Sequence, residues 1–106
     1  IYTTASPQLL AHATLRSLDI IAGEPWRRQR LRTLVSVLKQ ALRPKRWRLM
    51  PSDTAIQPLL VGDNAAAVEL SARLAERGLL VPAIRPPTVP QGTARLRISL
   101  SAAHAE

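Results

Sequence analysis

The chain has 106 residues and a net charge of +8, so it can form one domain with a modest core. It contains no cysteine, which excludes disulfide frameworks and cysteine metal sites. No apolar run approaches the roughly 20 residues that a membrane-spanning helix needs. The chain begins with Ile1 and ends where a helix is expected to start. We therefore expect a piece of a longer protein.

The positive charge is concentrated in residues 27–48, and no acid lies between Pro25 and Ser52. Such a segment can bind nucleic acid or an acidic partner, or it can be the solvated face of a basic helix. We favour the solvated helix, because the segment lacks interleaved aromatic residues and a known docking motif. The basic residues of this segment are Arg27, Arg28, Arg30, Arg32, Lys39, Arg43, Lys45, Arg46 and Arg48.

The first 43 residues are predicted to form two helices after an extended lead-in at 1–5. Ser6 can cap the first helix, Pro7 suits its first turn, and Gly23 ends it. Its apolar stripe comprises Leu10, Ala13, Leu18 and Ile21. The second helix begins after Pro25 and ends at Pro44. Its buried stripe comprises Leu31, Leu34, Leu38 and Ala41, backed by Val35 and Leu42.

A strand, a helix and a second strand are predicted after a short connection at 48–54. The first strand, 56–61, contains Pro58, which cannot donate to a ladder, so we expect this strand at a sheet edge or with a bulge.

The helix at 65–77 is predicted from its end signals. Asp63 or Asn64 can cap its start, and Gly78 can end it with a positive φ. Its inner stripe comprises Ala67, Leu70 and Leu74. The second strand is expected at 79–84.

A rigid loop then leads into a third strand at 94–100. Pro86, Pro87 and Pro90 restrict the loop, and Gly92 permits a turn. Apolar and polar side chains alternate in the strand, which is typical of a half-buried strand. Leu96, Ile98 and Leu100 are expected to be buried, and Arg95, Arg97 and Ser99 to lie on the opposite face.

This element order predicts an α+β fold, a small antiparallel sheet of three strands with helices on one face. If the third strand inserts between the other two, all neighbouring strands are antiparallel. We expect residues 1–106 to form one truncated C-terminal domain, with 1–43 leading into it.

Several motifs resemble one enzyme family. They are IRPPTVPQGTARLRI at 84–98, SAAH at 101–104, IQPLLVGDN at 56–64 and YTTA at 2–5. Together they resemble the C-terminal domain of the pyridoxal-phosphate-dependent α-oxoamine synthases, enzymes of fold type I. The Arg-Pro-Pro-Thr-Val-Pro loop is most similar to that of the oxononanoate-forming members.

The resemblance implies a cytoplasmic, homodimeric C-acyltransferase that condenses a pimeloyl thioester with L-alanine, releases CO2 and serves biotin synthesis. It implies that pyridoxal 5'-phosphate is bound by a large domain absent from this chain, so no catalytic or cofactor-binding residue is assigned here. Neither Lys39 nor Lys45 matches the family's Schiff-base motif. A sister synthase that uses glycine or serine is an alternative, and a basic nucleic-acid-binding module is another. The acyl carrier, coenzyme A or a carrier protein, stays open.

The resemblance also implies two substrate-binding residues. Arg97, the second arginine of Arg-Leu-Arg, matches the arginine that holds the substrate carboxylate, although it could be only an outward strand arginine. Thr88 matches a substrate-binding position, although it could be a loop threonine that bonds its own backbone. No metal site is expected, because His12 and His104 have no partner at a metal-binding spacing. We expect His104 to brace the start of the final helix.

Overall fold

The computed structural model describes residues 7–43 and 46–105. These residues form an α+β fold, as predicted. The helices are α1 (Gln8–Gly23), α2 (Trp26–Ala41) and α3 (Asn64–Glu76). The strands are β1 (Arg48–Leu49), β2 (Ile56–Gly62), β3 (Ala83–Ile84) and β4 (Ala94–Ser99). The lead-in at 1–5, the Ser6 cap, the Pro44 stop and Lys45 lie outside the described residues.

The strands form one antiparallel sheet in the order β1-β2-β4-β3. The last strand therefore lies between its two predecessors, as expected. The prediction of three strands was wrong, because the stretch expected to be a connection contains β1. Arg48 pairs with Leu60 and Leu49 with Leu59. Two residues carry too little of an alternating pattern to be recognised as a strand.

Pro58 does not place β2 at a sheet edge, because β1 covers that side. The backbone nitrogen of Met50 donates to the Pro58 carbonyl over 2.8 Å, so the backbone groups of Pro58 face β1 and not β4. The missing proline donor therefore removes no bond from the long β2–β4 ladder. The irregularity expected in this strand lies further on, between Leu60 and Gly62.

The strand predicted at 79–84 is shorter than expected. Only Ala83 and Ile84 pair with β4, opposite Leu96 and Arg95. The Arg97 backbone nitrogen donates to the Pro82 carbonyl over 3.0 Å, but Pro82 has no N–H to return the bond. Pairing of β3 therefore ends at this proline.

The core lies between α3 and one face of the sheet, which we call the inner face. Helix α3 packs against β2, β3 and β4. Leu59, Ala67, Ala94 and Leu96 are buried there. The prediction of burial is confirmed for Leu96, whereas its neighbours along the strand, 98 and 100, are only half-buried. They lie at the end of β4 near Ser99, where the paired part of the sheet stops.

Helices α1 and α2 differ in how far they join this core. Leu34 and Val35 of α2 are buried, as predicted, although Ala41 is exposed. Helix α1 has no buried residue, and the apolar stripe predicted on it is exposed to solvent. No helix in the described ranges is long and apolar enough to cross a membrane.

Helix α3 has the ends that its sequence indicates. The Asp63 carboxylate accepts a hydrogen bond of 2.9 Å from the Ala66 backbone nitrogen, as an N-cap. Gly78 follows the helix with φ of 83°, a left-handed conformation that favours glycine. The helix runs one residue earlier at each end than predicted.

Leu96→Ala should destabilise the protein by about 2–5 kcal/mol, because the leucine is only 1% exposed and its loss leaves a cavity. Leu80→Ala removes the same atoms from a side chain that is 92% exposed, and it should change stability by less than about 0.5 kcal/mol. Urea denaturation of both variants measures the difference. Equal effects would contradict the assignment of Leu96 to the core.

Asp63→Ala should cost about 1 kcal/mol of stability, since it removes the N-cap acceptor of α3. Asp63→Asn keeps a side-chain oxygen at this position and should lose much less. The same denaturation measurement compares the two variants. A loss for Asp63→Asn as large as that for Asp63→Ala would show that the capping oxygen is not the cause.

Candidate carboxylate-binding site

Arg97 projects from the centre of the sheet on the face opposite the core, which we call the outer face. Along β4, burial alternates from the buried Leu96 to the exposed Arg97. The Arg97 backbone is held by its hydrogen bond to Pro82, so the direction of the side chain is set by the ladder. A side chain on a paired central strand is more precisely positioned than one on a loop.

Two prolines flank Arg97 on the outer face. Pro58 lies opposite Arg97 across β2, and Pro82 lies opposite it on the β3 side. Paired residues of antiparallel strands share a face, so both pyrrolidine rings border the arginine. Proline rings offer the guanidinium no competing hydrogen-bond acceptor. The arginine therefore stands between apolar neighbours, and no described residue accepts a hydrogen bond from its guanidinium.

The outer face carries two further arginines in the row next to Arg97. Arg48, Leu60, Arg95 and Ile84 pair in succession across β1, β2, β4 and β3. Arg95 is half-buried, and its Nε donates to the Thr93 carbonyl over 3.1 Å. The outer face therefore combines arginines with apolar neighbours, which are Pro58, Leu60, Pro82 and Ile84.

No acid balances these arginines within residues 7–43 and 46–105. The ion pairs of the described residues join Arg27 to Glu24, Lys39 to Asp53 and Arg73 to Glu69. In the same part of the chain, the Arg97 side chain makes no hydrogen bond. Guanidinium binds a carboxylate through two parallel hydrogen bonds. The arrangement can therefore hold a carboxylate from outside this part of the chain.

Thr88 lies on the loop that joins β3 to β4. The loop leaves the sheet where Ile84 pairs with Arg95. Thr88 therefore follows the end of the sheet that carries Arg95, and Arg97 lies two residues further along β4. The Thr88 backbone nitrogen donates to the Arg85 carbonyl over 3.1 Å. Its exposed hydroxyl makes no hydrogen bond to any described residue, so it does not bond its own backbone. No hydrogen bond joins Thr88 to Arg97 in the described chain.

The described residues do not fit a pyridoxal-phosphate site. The group is held as a Schiff base by a lysine. The chain has two lysines, of which Lys45 lies outside the described residues. Lys39 lies on α2, where its Nζ is 3.7 Å from Asp53 Oδ1. Lys39 is therefore paired with Asp53 and does not lie on the outer face beside Arg97, so it provides no Schiff base there.

Metal binding has no candidate site in the described ranges, which hold no cluster of three metal-ligating side chains.

His104 acts locally, because its Nδ1 accepts a hydrogen bond of 3.0 Å from the Ser101 backbone nitrogen. The described residues at 102–104 form a turn and not the helix that the sequence suggests.

Several arginines of the basic segment contact their own chain. Arg27 pairs with Glu24, and Arg28 donates to the Ile21 carbonyl at the end of α1 over 2.7 Å. Arg30 donates to the His104 carbonyl over 3.0 Å. These contacts stabilise helix ends and link distant segments, which supports the interpretation of a solvated basic helix.

Gln57 is a buried polar residue that the sequence analysis did not single out. It is fully buried, and its Nε2 donates to the carbonyls of Ser52 and Thr54 over 3.1 and 2.8 Å. Its Oε1 has no partner among the described residues. Its burial could have been predicted, because Gln57 lies two residues before Leu59 on the same strand and therefore on the same buried face. It shapes the segment between β1 and β2 and does not face the outer surface.

Comparison with known proteins supports the resemblance of the sequence motifs to the α-oxoamine synthases. The 8-amino-7-oxononanoate synthase of Nitrosospira multiformis is 60% identical over 104 residues, which are 98% of this chain and 26% of that protein. The 8-amino-7-oxononanoate synthase of Francisella tularensis is similar in structure, with a TM-score of 0.81 and 26% identity over 99% of this chain and 30% of its own.

A second solved structure has PLP bound. It is a serine palmitoyltransferase from S. paucimobilis with a PLP–myriocin aldimine, with a TM-score of 0.57 and 32% identity over 73% of this chain and 19% of its own. The chain thus spans about a quarter of the length of the curated relatives that it matches. Residues 1–106 match the family described as aminotransferase class I and II. Over its whole length, the chain belongs to the aminotransferase class I and II family.

Proposed function

We propose that this chain is the C-terminal part of an 8-amino-7-oxononanoate synthase. The enzyme condenses a pimeloyl thioester with L-alanine, releases CO2 and the thiol, takes up one proton and contributes to biotin synthesis. The proposal is supported by the 60% identity to a relative of that name over 98% of the chain. The observation that carries it is Arg97, whose backbone is held at the centre of the outer face and whose side chain makes no hydrogen bond to the described residues.

The proposed role of Arg97 is to bind the carboxylate of L-alanine. Its planar fork can donate two parallel hydrogen bonds to the carboxylate, and the rings of the flanking prolines 58 and 82 offer no competing acceptor. Binding at a fixed position orients the alanine α-carbon, which forms the new bond to the acyl carbonyl carbon. Such positioning contributes several kcal/mol to catalysis in favourable cases. The Thr88 hydroxyl, on the adjoining loop, is proposed to donate a hydrogen bond to the bound substrate.

Pyridoxal 5'-phosphate, when bound, would supply an electron sink for the reaction at the alanine α-carbon. Because the described residues provide no Schiff-base lysine, we propose that the cofactor is held by a part of the enzyme outside this chain. Arg97 would then hold the substrate from a different part of the enzyme than the residues that bind the cofactor. We also propose that the enzyme is a cytoplasmic homodimer.

The two alternatives from the sequence are less well supported. A sister synthase that uses glycine or serine has as its relative the serine palmitoyltransferase, which is 32% identical over 73% of this chain. Oxononanoate synthases such as that of Nitrosospira multiformis reach 60% over 98% of the chain, although that of Francisella tularensis is 26% identical. A nucleic-acid-binding module would present its arginines to a ligand. Several arginines of α2 are instead hydrogen-bonded within the chain.

The proposed function is tested with the full-length protein loaded with pyridoxal 5'-phosphate. L-alanine, glycine and L-serine are each offered with pimeloyl groups on coenzyme A and on an acyl carrier protein. We expect CO2 release and 8-amino-7-oxononanoate formation with L-alanine alone. Turnover of glycine or serine in preference to alanine would instead support a sister synthase.

Arg97→Ala in the full-length enzyme should weaken apparent L-alanine affinity by one to two orders of magnitude. Hydrogen bonds to charged groups contribute about 1.5–3 kcal/mol each, and this variant removes the bidentate donor. The fold should survive, because the side chain is exposed. Steady-state constants for L-alanine, cofactor content and the thermal midpoint are measured together.

Two matched variants control this experiment. Arg97→Lys should recover only part of the affinity, since an ammonium cannot reproduce the planar fork. Arg73→Ala removes an arginine from the exposed Arg73–Glu69 pair on α3 and should leave alanine kinetics unchanged. Normal alanine kinetics in a folded, cofactor-loaded Arg97→Ala enzyme would show that Arg97 does not bind the substrate.

A further inference from the structure

We propose that Arg95 forms a second carboxylate-binding subsite, which takes the free carboxylate at the far end of a dicarboxylic acyl thioester. This inference rests on the proposed function, and it gives the outer face two carboxylate sites with different tasks. Arg97 holds the amino acid, and Arg95 selects an acyl chain that ends in a negative charge.

Arg95 has the position that such a subsite requires. It lies two residues before Arg97 on the same strand, so both side chains emerge on the outer face. The backbone spacing between them is about 7 Å, at roughly 3.3 Å per residue. The two guanidinium groups can therefore serve one extended substrate that lies along the strand.

The direction of the Arg95 side chain increases this separation. Its Nε donates to the Thr93 carbonyl over 3.1 Å, and Thr93 lies on the side of Arg95 away from Arg97. This bond uses one of the five guanidinium donors and leaves the four terminal N–H donors, enough for a bidentate contact. This hydrogen bond also restricts the Arg95 side chain before any ligand binds, which reduces the conformational entropy lost on binding.

The length of the acyl group matches this arrangement. Six carbon–carbon bonds of about 1.5 Å separate the two ends of an extended seven-carbon diacid chain, which is a span of roughly 7–8 Å. One end reacts at the alanine α-carbon, close to the carboxylate held by Arg97. With the acyl chain laid along β4 toward Thr93, its far carboxylate comes level with the Arg95 guanidinium, which its Nε bond draws toward Thr93.

The neighbours of Arg95 favour a ligand that carries methylene groups beside its carboxylate. Leu60 and Ile84 flank Arg95 on the outer face, and both are half-buried. Their remaining exposed surface can pack against methylenes, which gain by leaving water. Within residues 7–43 and 46–105, no acid pairs with Arg95, so its charge is not already neutralised.

The experiment compares two acyl groups of equal length in the full-length enzyme. Pimeloyl ends in a carboxylate and heptanoyl in a methyl group, and each is supplied on coenzyme A and on the same acyl carrier protein. In Arg95→Gln, kcat/KM for pimeloyl should fall about ten- to a hundred-fold, whereas kcat/KM for heptanoyl should change less than about two-fold. The KM for L-alanine should stay within about two-fold.

Arg95→Lys keeps a positive charge without the fork or the Nε bond, and it should retain part of the preference for pimeloyl. This variant also serves if Arg95→Gln fails to fold, since its preference should still fall several-fold below that of the wild type. Equal losses for pimeloyl and heptanoyl, or no loss for either, would overturn the subsite. Wild-type enzyme that turns over neither acyl group with L-alanine would overturn the proposed function itself.

Discussion

The pairing of β2 with β4 is the constraint on which the rest of the structure depends. Its register sets Leu59 opposite Leu96 on the inner face and Pro58 opposite Arg97 on the outer face. A slip of one residue would exchange the two faces, burying the arginines and exposing the leucines. Burial of an unpaired guanidinium costs far more than a leucine gains, so this register is strongly specified. The core and the candidate site are therefore two consequences of a single alignment.

The parts of the fold that could be predicted from the sequence are those with a repeated pattern or a specific end signal. The alternation of β4 predicted both the burial of Leu96 and the exposure of Arg97, and Asp63 and Gly78 marked the ends of α3. Elements that exist only through their partners could not be predicted. Strand β1 is two residues long and is defined by its pairing with Leu59 and Leu60. Pro58 suggested an edge strand because the sequence does not show which neighbour its missing donor would face.

Some arginines of this chain use their donors on the chain itself, whereas others leave them available among the described residues. In α2, Arg28 donates to the Ile21 carbonyl of α1 and Arg30 donates to the His104 carbonyl, so both contribute to the fold. Arg97 makes no such contact in the described chain, and Arg95 keeps most of its donors. Composition alone cannot separate the groups, because the high positive charge includes both. The placement of each arginine on a sheet face or a helix end distinguishes them.

The two outermost strands have a consequence for association between molecules. Both β1 and β3 are only two residues long, and Pro51 and Pro82 lie close to their ends. A sheet edge can recruit a strand from another chain only where it offers a row of free donors and acceptors. Here each edge strand offers the backbone donors and acceptors of only about two residues. The central β2–β4 pair can thus be long without its sheet becoming a template for aggregation.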